Sequence, residues 1–265
     1  MNGAALPAAR VLRRWLPPAL LLAALVAAWE GWVLLRHTPA YVLPSPGRVA
    51  GAFADAAPLL PAHVAATAAE AAAGLVVGAV AGVAIAVLVV SVPLARRVLE
   101  PLLVASQTVP MIVLAPLLVL WFGIGTTPKV VVVALITFFP VAVSTSAGLA
   151  GADPELLDLV RSMGADPTAV LRTVRLPAAV PAFFSGLRIA AAYAVAGAVV
   201  GELVAAEHGL GVFINRSRSS FRVDRIFVAV VIVAVLSALL FALVGLAGRL
   251  AAPWHHTPSP TQEIR

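Results

Sequence analysis

Cysteine is absent from this 265-residue chain, lysine occurs once, at Lys129, and charged residues of all kinds make up only 11%. Without cysteine there is no disulfide, no thiolate nucleophile and no cysteine-ligated metal site. A water-soluble domain carries roughly 25% charged residues, so this chain lacks the polar material to clothe a globule. Its bulk is apolar instead: 62% of the residues are hydrophobic and the mean hydropathy is +1.03. Such an excess faces lipid. Three catalytic signatures are also missing. There is no Gly-x4-Gly-Lys-Ser/Thr phosphate loop, since Lys129 lies between Pro128 and a valine run, no His-Glu-x-x-His and no Gly-x-Ser-x-Gly elbow. No catalytic, cofactor-binding or metal-ligating residue is therefore assigned to this chain, and ATP hydrolysis is not expected of it.

The net charge of +6 and the pI of 11.2 would suggest nucleic acid in a soluble protein. Here the basic residues sit in short connectors between apolar runs, with no continuous face to follow a phosphate backbone. Six runs are long enough to cross a bilayer: 16–35, 64–92, 98–121, 130–149, 183–204 and 226–250. They are read as helices, because backbone groups in lipid must pair within their own segment. The fold class is thus an all-α integral membrane protein. The first run resembles a secretory signal in its Arg10, Arg13 and Arg14, but it stays apolar through Trp32 and Leu35, longer than a signal core, and is read as an uncleaved helix.

Arginine placement sets the expected orientation. With a cytoplasmic N-terminus, the inner segments hold Arg10, Arg13, Arg14, Arg96, Arg97, Arg161, Arg172, Arg175, Arg188, Arg249 and Arg265. The outer segments hold Arg36, Arg48, Lys129, Arg216, Arg218, Arg222 and Arg225. Eleven against seven favours both termini inside, with the cluster 216–225 dissenting. The expected organisation is a cytoplasmic N-terminus at 1–15, a membrane domain at 16–250 and a cytoplasmic tail at 251–265. Of the spans' ionisable residues, Glu30, Glu70 and Glu100 fall near span ends, while Glu202 closes the fifth span. Ser106, Gln107 and Thr108 form a polar break before Pro110; with Glu202 they are the candidates for lining or gating a pathway. Gly74-x3-Gly78-x3-Gly82 is a small-residue stripe suited to close helix packing.

Two connectors stand out. One, 36–62, contains Leu43-Pro44-Ser45-Pro46-Gly47 ahead of a short helix. The other, 151–181, reads as two short helices: Asp153 caps the first and Gly164 ends it, while Asp166-Pro167 opens a second that Pro177 stops. Leu156, Leu157, Val160 and Met163 share one face, which such an object would offer to a partner at a membrane surface.

Asp158-Leu159-Val160, three residues, Gly164, nine residues, Val174, one residue, then Leu176-Pro177 resembles the E-A-A-x3-G-x9-I-x-L-P loop of ABC importer permeases. Asp stands for Glu, Leu-Val for Ala-Ala and Val for Ile. Ser106-Gln107-Thr108-Val109-Pro110, Ala115-Pro116-Leu117, Trp121-Phe122-Gly123-Ile124-Gly125, Pro128-Lys129, Phe138-Phe139-Pro140, Gly201-Glu202-Leu203 and Gly209-Leu210-Gly211 look like the nitrate/sulfonate/taurine-type permeases, in the same order. The resemblance implies a non-catalytic permease subunit of the bacterial inner membrane. Its loop would dock on a separate ABC ATPase, which binds ATP and magnesium, through Asp158, Leu159, Val160, Met163, Gly164, Ala165, Asp166, Thr168, Val174, Leu176 and Pro177. It further implies an extracytoplasmic solute-binding protein, a permease homodimer surrounded by lipid, and a cargo such as a sulfonate, nitrate or a thiamine-precursor-like heterocycle. The competing class is a secondary transporter not coupled to ATP, which would show inverted repeats or paired broken helices; no internal repeat is evident.

Overall fold

Apolar sequence sets the lengths of the helices, while proline, serine and aspartate set many of their ends. The computed structural model describes residues 7–106, 108–204 and 206–253, with side chains from Leu16 onward; Trp254 and the rest of the expected tail lie outside the described residues. In chain order the helices are α1 (Pro7–Leu35), α2 (Pro46–Ala56), α3 (Leu60–Ser91), α4 (Pro93–Ser106), α5 (Met111–Phe122), α6 (Thr126–Ala150), α7 (Pro154–Ser162) and α8 (Pro167–Val170). A π-helical turn (Leu171–Arg175), α9 (Leu176–Glu202), α10 (Leu210–Ser219) and α11 (Val223–Ala251) follow. Among the described residues five stretches are long and apolar enough to cross a membrane: Leu16–Leu35, Leu60–Ser91, Thr126–Ala150, Pro167–Glu202 and Val223–Ala251. The α4–α5 pair makes a sixth if it is counted as one broken span.

That pair corrects the expectation of one continuous helix over 98–121. Pro110 has no N–H to give and restricts the residue before it. Ser106 and Thr108 turn their hydroxyls back onto the carbonyls of Leu103 (2.7 Å) and Ala105 (2.8 Å), so the chain stops and restarts at Met111.

The described residues form two compact units. One comprises the chain up to Leu60 together with Ile214–Val230. In it, Ser45 caps α2 by accepting the Arg48 N–H at 3.3 Å, with Pro46 in the opening turn, as the Leu43–Gly47 stretch leads one to expect. Glu30 accepts the Gly47 N–H at 3.3 Å, and Trp29 packs on Phe227 with ring centroids 5.4 Å apart.

The other unit comprises Pro61–Phe213 and the residues from Val231 on. Its core is α6 wedged between α3 and α9. Gly74, Gly78 and Gly82 run along α6: a Cβ at Gly82 would meet the Phe138 carbonyl oxygen at 2.8 Å and the Ala142 nitrogen at 3.0 Å. The small-residue stripe is therefore an interface within the chain. On the other flank Ala190, Ala191, Ala194 and Ala198 of α9 are fully buried, and Val133 and Val141 of α6 join them in one cluster. Dispersion over such close backbone approach holds helices together where lipid offers no hydrophobic drive.

Candidate functional site

At one end of the α6–α9 pair sits the 151–176 segment. Asp153 Oδ1 accepts the Glu155 N–H at 2.9 Å and Pro154 opens α7. Gly164, at φ +84°, closes it: its N–H reaches the Arg161 carbonyl (2.9 Å), and the Ala165 N–H reaches Val160 (3.2 Å). Those two bonds are the terminus that glycine's left-handed freedom permits. Asp166 then caps α8 by accepting the Ala169 N–H at 2.6 Å, with Pro167 next.

Two expectations change here. Pro177 does not stop the second helix; α8 runs through the π-helical turn into α9, and the connector ends near Pro167 rather than at 181. Within that turn the Leu176 N–H bonds back to the Leu171 carbonyl. The wider i to i−5 pitch accommodates Pro177, which has no N–H for the ladder. Nor does the apolar face of α7 point one way. Leu157 is buried with Ala152, Val170 and Val174, and Val160 and Ala165 pack against them, which folds the hairpin on itself. Leu156 (45% exposed), Leu159 (58%) and Met163 (79%) remain outside. Asp158, Gly164, Asp166, Thr168 and Pro177 are exposed and Leu176 is half-buried; Asp158 pairs with its neighbour Arg161, at 3.3 Å.

The opposite end of α6 and α9 holds a buried polar network that sequence reading split among separate residues. Lys129, counted there among the outer connector charges, lies inside α6 and ion-pairs with Glu70 of α3. The Glu202 carboxyl faces that of Glu70 and is itself 1% exposed. Thr67 donates its hydroxyl to Glu202 Oε1 at 2.6 Å, and the Gly211 N–H donates to Oε2 at 2.6 Å. The Leu210 N–H donates to Thr67 Oγ1 at 2.8 Å and the Gly209 N–H to His63 Nδ1 at 3.0 Å. Three side chains from α3 and α9, His63, Thr67 and Glu202, thus tie down the start of α10, and the Glu70 that faces Glu202 is paired with Lys129 of α6. A cleft of about 380 Å³ opens beside them, lined by Glu70, Thr126, Lys129, Glu207 and His208 among others. The i, i+4, i+7 spacing of His63, Thr67 and Glu70, which puts them along one helix face, was the sequence signal available.

The other pathway candidates do not join this network. Ser106 and Thr108 spend their hydroxyls on the α4 backbone, Pro110 precedes α5, and Gln107 lies outside the described residues. Glu100 pairs with Arg96 at 2.9 Å on an exposed surface. Arg188, counted among the inner charges, sits within α9, its guanidinium carbon 4.4 Å from the centre of the Phe241 ring. A cleft of about 710 Å³ between α3, α4 and α6 reaches Arg96, Glu100, Phe139 and Arg175.

Residues 74–254 match the family of binding-protein-dependent transport system inner membrane components. The chain belongs to that family. The permease is 42% identical over 254 residues to the riboflavin transport system permease protein RibX of Chloroflexus aurantiacus, covering 94% of this chain and 95% of that one. It is 33% identical over 163 residues to the taurine transport system permease protein TauC of Escherichia coli, covering 62% and 59%. The fold is shared with an inward-facing structure of the MetNI methionine ABC transporter, at a TM-score of 0.64 and 23% identity over 73% of this permease and 95% of that chain. The permease is a non-catalytic subunit of an ABC importer, in a family that works with a separate ATPase and a binding protein, and the sulfonate/taurine-type resemblance holds.

Proposed function

We propose that this permease imports a flat nitrogen heterocycle of the flavin or pyrimidine kind. The observation that carries the proposal is the 42% identity, sustained over 94% of the chain, to a riboflavin permease; likeness to the taurine permease is lower and shorter. A groove of about 450 Å³ across α6 and α9 supports it. Ile136, Phe139, Pro140, Val143, Ser144, Ile189 and Tyr193 line the groove, offering rings, one hydroxyl-bearing aromatic and, among the described residues, no charged side chain for a sulfonate.

In this reading the chain sits in the bacterial inner membrane with both termini cytoplasmic, and two copies enclose the pathway. α7, α8 and the π-turn take the stroke of the ATPase, where ATP and magnesium bind, through Asp158, Leu159, Met163, Gly164, Asp166 and Thr168. Val160, Ala165, Val174, Leu176 and Pro177 shape the hairpin and join it to α9. Coupling is then a matter of differential stability: ATP favours one arrangement of the ATPase pair, and the hairpin follows it. Proteoliposomes holding the permease, its ATPase and its solute-binding protein test the cargo. ATP-dependent uptake of riboflavin that taurine does not compete with is the expected result; uptake of taurine alone would replace the heterocycle with a sulfonate.

A further inference from the structure

Residues 36–60 and 214–225 carry Arg36, Arg48, Arg216, Arg218, Arg222 and Arg225 against Asp55 and Asp224 only. In the orientation proposed above these are outer segments, where positive-inside bias leaves the fewest cations. Asp224 is already taken, with Arg222 Nε and Nη2 each 3.0 Å from its carboxylate, and Arg48 lies close to the same group. Arg48, Arg216 and Arg218 are exposed. The patch is strongly positive.

The end of α10 sets an aromatic residue, Phe221, between Arg218 and Arg222 along the chain. The Phe221 N–H bonds to the Arg218 carbonyl at 3.1 Å and the Arg222 N–H to that of Ser217 at 2.8 Å, the pair of bonds of a left-handed helix terminus. Glycine fits that terminus best. Here the left-handed residue is Phe221, at φ +53° and 78% exposed. A bulky side chain in that conformation is strained, and burial on this chain gives nothing back. Strain held at an exposed position marks a surface kept for another purpose, and an exposed aromatic between arginines has the make-up of an interface anchor.

We infer that Phe221, flanked along the chain by Arg218 and Arg222, is the docking knob for the extracytoplasmic solute-binding protein, and that it meets an acidic face with an apolar pocket for the ring. The inference rests on the importer reading above. A membrane surface would also take up arginines and a ring at a span border, so the bilayer is the competing occupant and the test sets it apart.

The test uses the assembled transporter with its ATPase, in nanodiscs of uncharged lipid, and measures affinity for the ligand-loaded cognate solute-binding protein. Phe221→Gly supplies the residue that the turn prefers, so it should melt no lower than wild type and yet bind about tenfold more weakly, as loss of an anchor does. Arg218→Glu should also weaken binding, with a deficit that shrinks as salt is raised. Wild-type affinity in both variants would overturn the docking knob while leaving the importer reading intact. So would binding that appears only when anionic lipid is added. A wild-type transporter that retains its ATPase but captures no binding protein would remove the importer reading, and this inference with it.

Discussion

Lys129 of α6 ion-pairs with Glu70 of α3 at a site where their side chains are 8% and 5% exposed, and the carboxyl of Glu202 faces the same Glu70. The only lysine of the chain thus pairs with a buried acid that a second buried acid also faces. Removing one partner of a buried pair leaves the other uncompensated, at about 3–5 kcal/mol. Lys129→Met strands two facing carboxyls, whereas Glu70→Gln removes one of those two charges and leaves an amide oxygen that can still accept from Lys129. We therefore expect Lys129→Met to lower the melting temperature in detergent more than Glu70→Gln. Combining it with Glu70→Gln should recover part of the loss, and a double-mutant cycle reads that recovery as coupling.

The α3–α6 contact has no room for a methyl group at Gly82, where a Cβ would lie 2.8 Å from the Phe138 carbonyl oxygen. Gly82→Ala should destabilise the permease by about 1–3 kcal/mol, the range for overpacking, and reduce the monodisperse fraction in size-exclusion. Gly31→Ala is the control, since a Cβ there meets nothing within 4 Å, and it should be silent or slightly stabilising.

Leu157 and Met163 belong to the same short helix but should fail differently. Leu157→Asp puts a charge into the hairpin's own small core and should lower thermal stability. Met163→Asp alters a side chain that is 79% exposed, so the fold should survive while co-purification of the ATPase falls. Gly164→Pro cannot adopt φ +84° and should abolish ATP-driven uptake with membrane insertion intact. Normal uptake by that variant would remove the coupling assignment.

A chain without cysteine makes each single thiol an unambiguous reporter. A membrane-impermeant maleimide should label Met163→Cys and Thr168→Cys in inverted vesicles only, and Ser219→Cys in intact cells only. The reverse pattern would invert the proposed topology.

Much of the helical layout was legible because lipid demands long apolar runs, and capping residues such as Asp153, Asp166 and Ser45 announce their turns locally. In the sequence Pro177 reads as a stop, while the run 98–121 reads as one span through Pro110. Pro110 did break its span, because Ser106 and Thr108 back-bond beside it; Pro177 did not, because a π-turn absorbs a missing donor, and periodicity says nothing of that. Likewise Glu70, Lys129 and Glu202 lie 59 or more positions from one another in pairs such as Glu70–Lys129, so only the packing of α3, α6 and α9 brings them together. Leu157 and Leu156 are adjacent letters with the same hydrophobicity, and only the fold turned one inward and left the other in the open.

The π-turn has a mechanical corollary. Because Leu171–Arg175 continues α8 into α9 without a loop, the stretch Pro167–Glu202, 36 residues long, behaves as a single strut of about 50 Å at helical rise. Its foot is pinned by the cap on Asp166 and its head by the Thr67 and Gly211 hydrogen bonds to Glu202. No loop lies between them, so a tilt imposed at the foot has an unbroken helical path, bending at the π-turn and Pro181 if anywhere, to whatever holds Glu202.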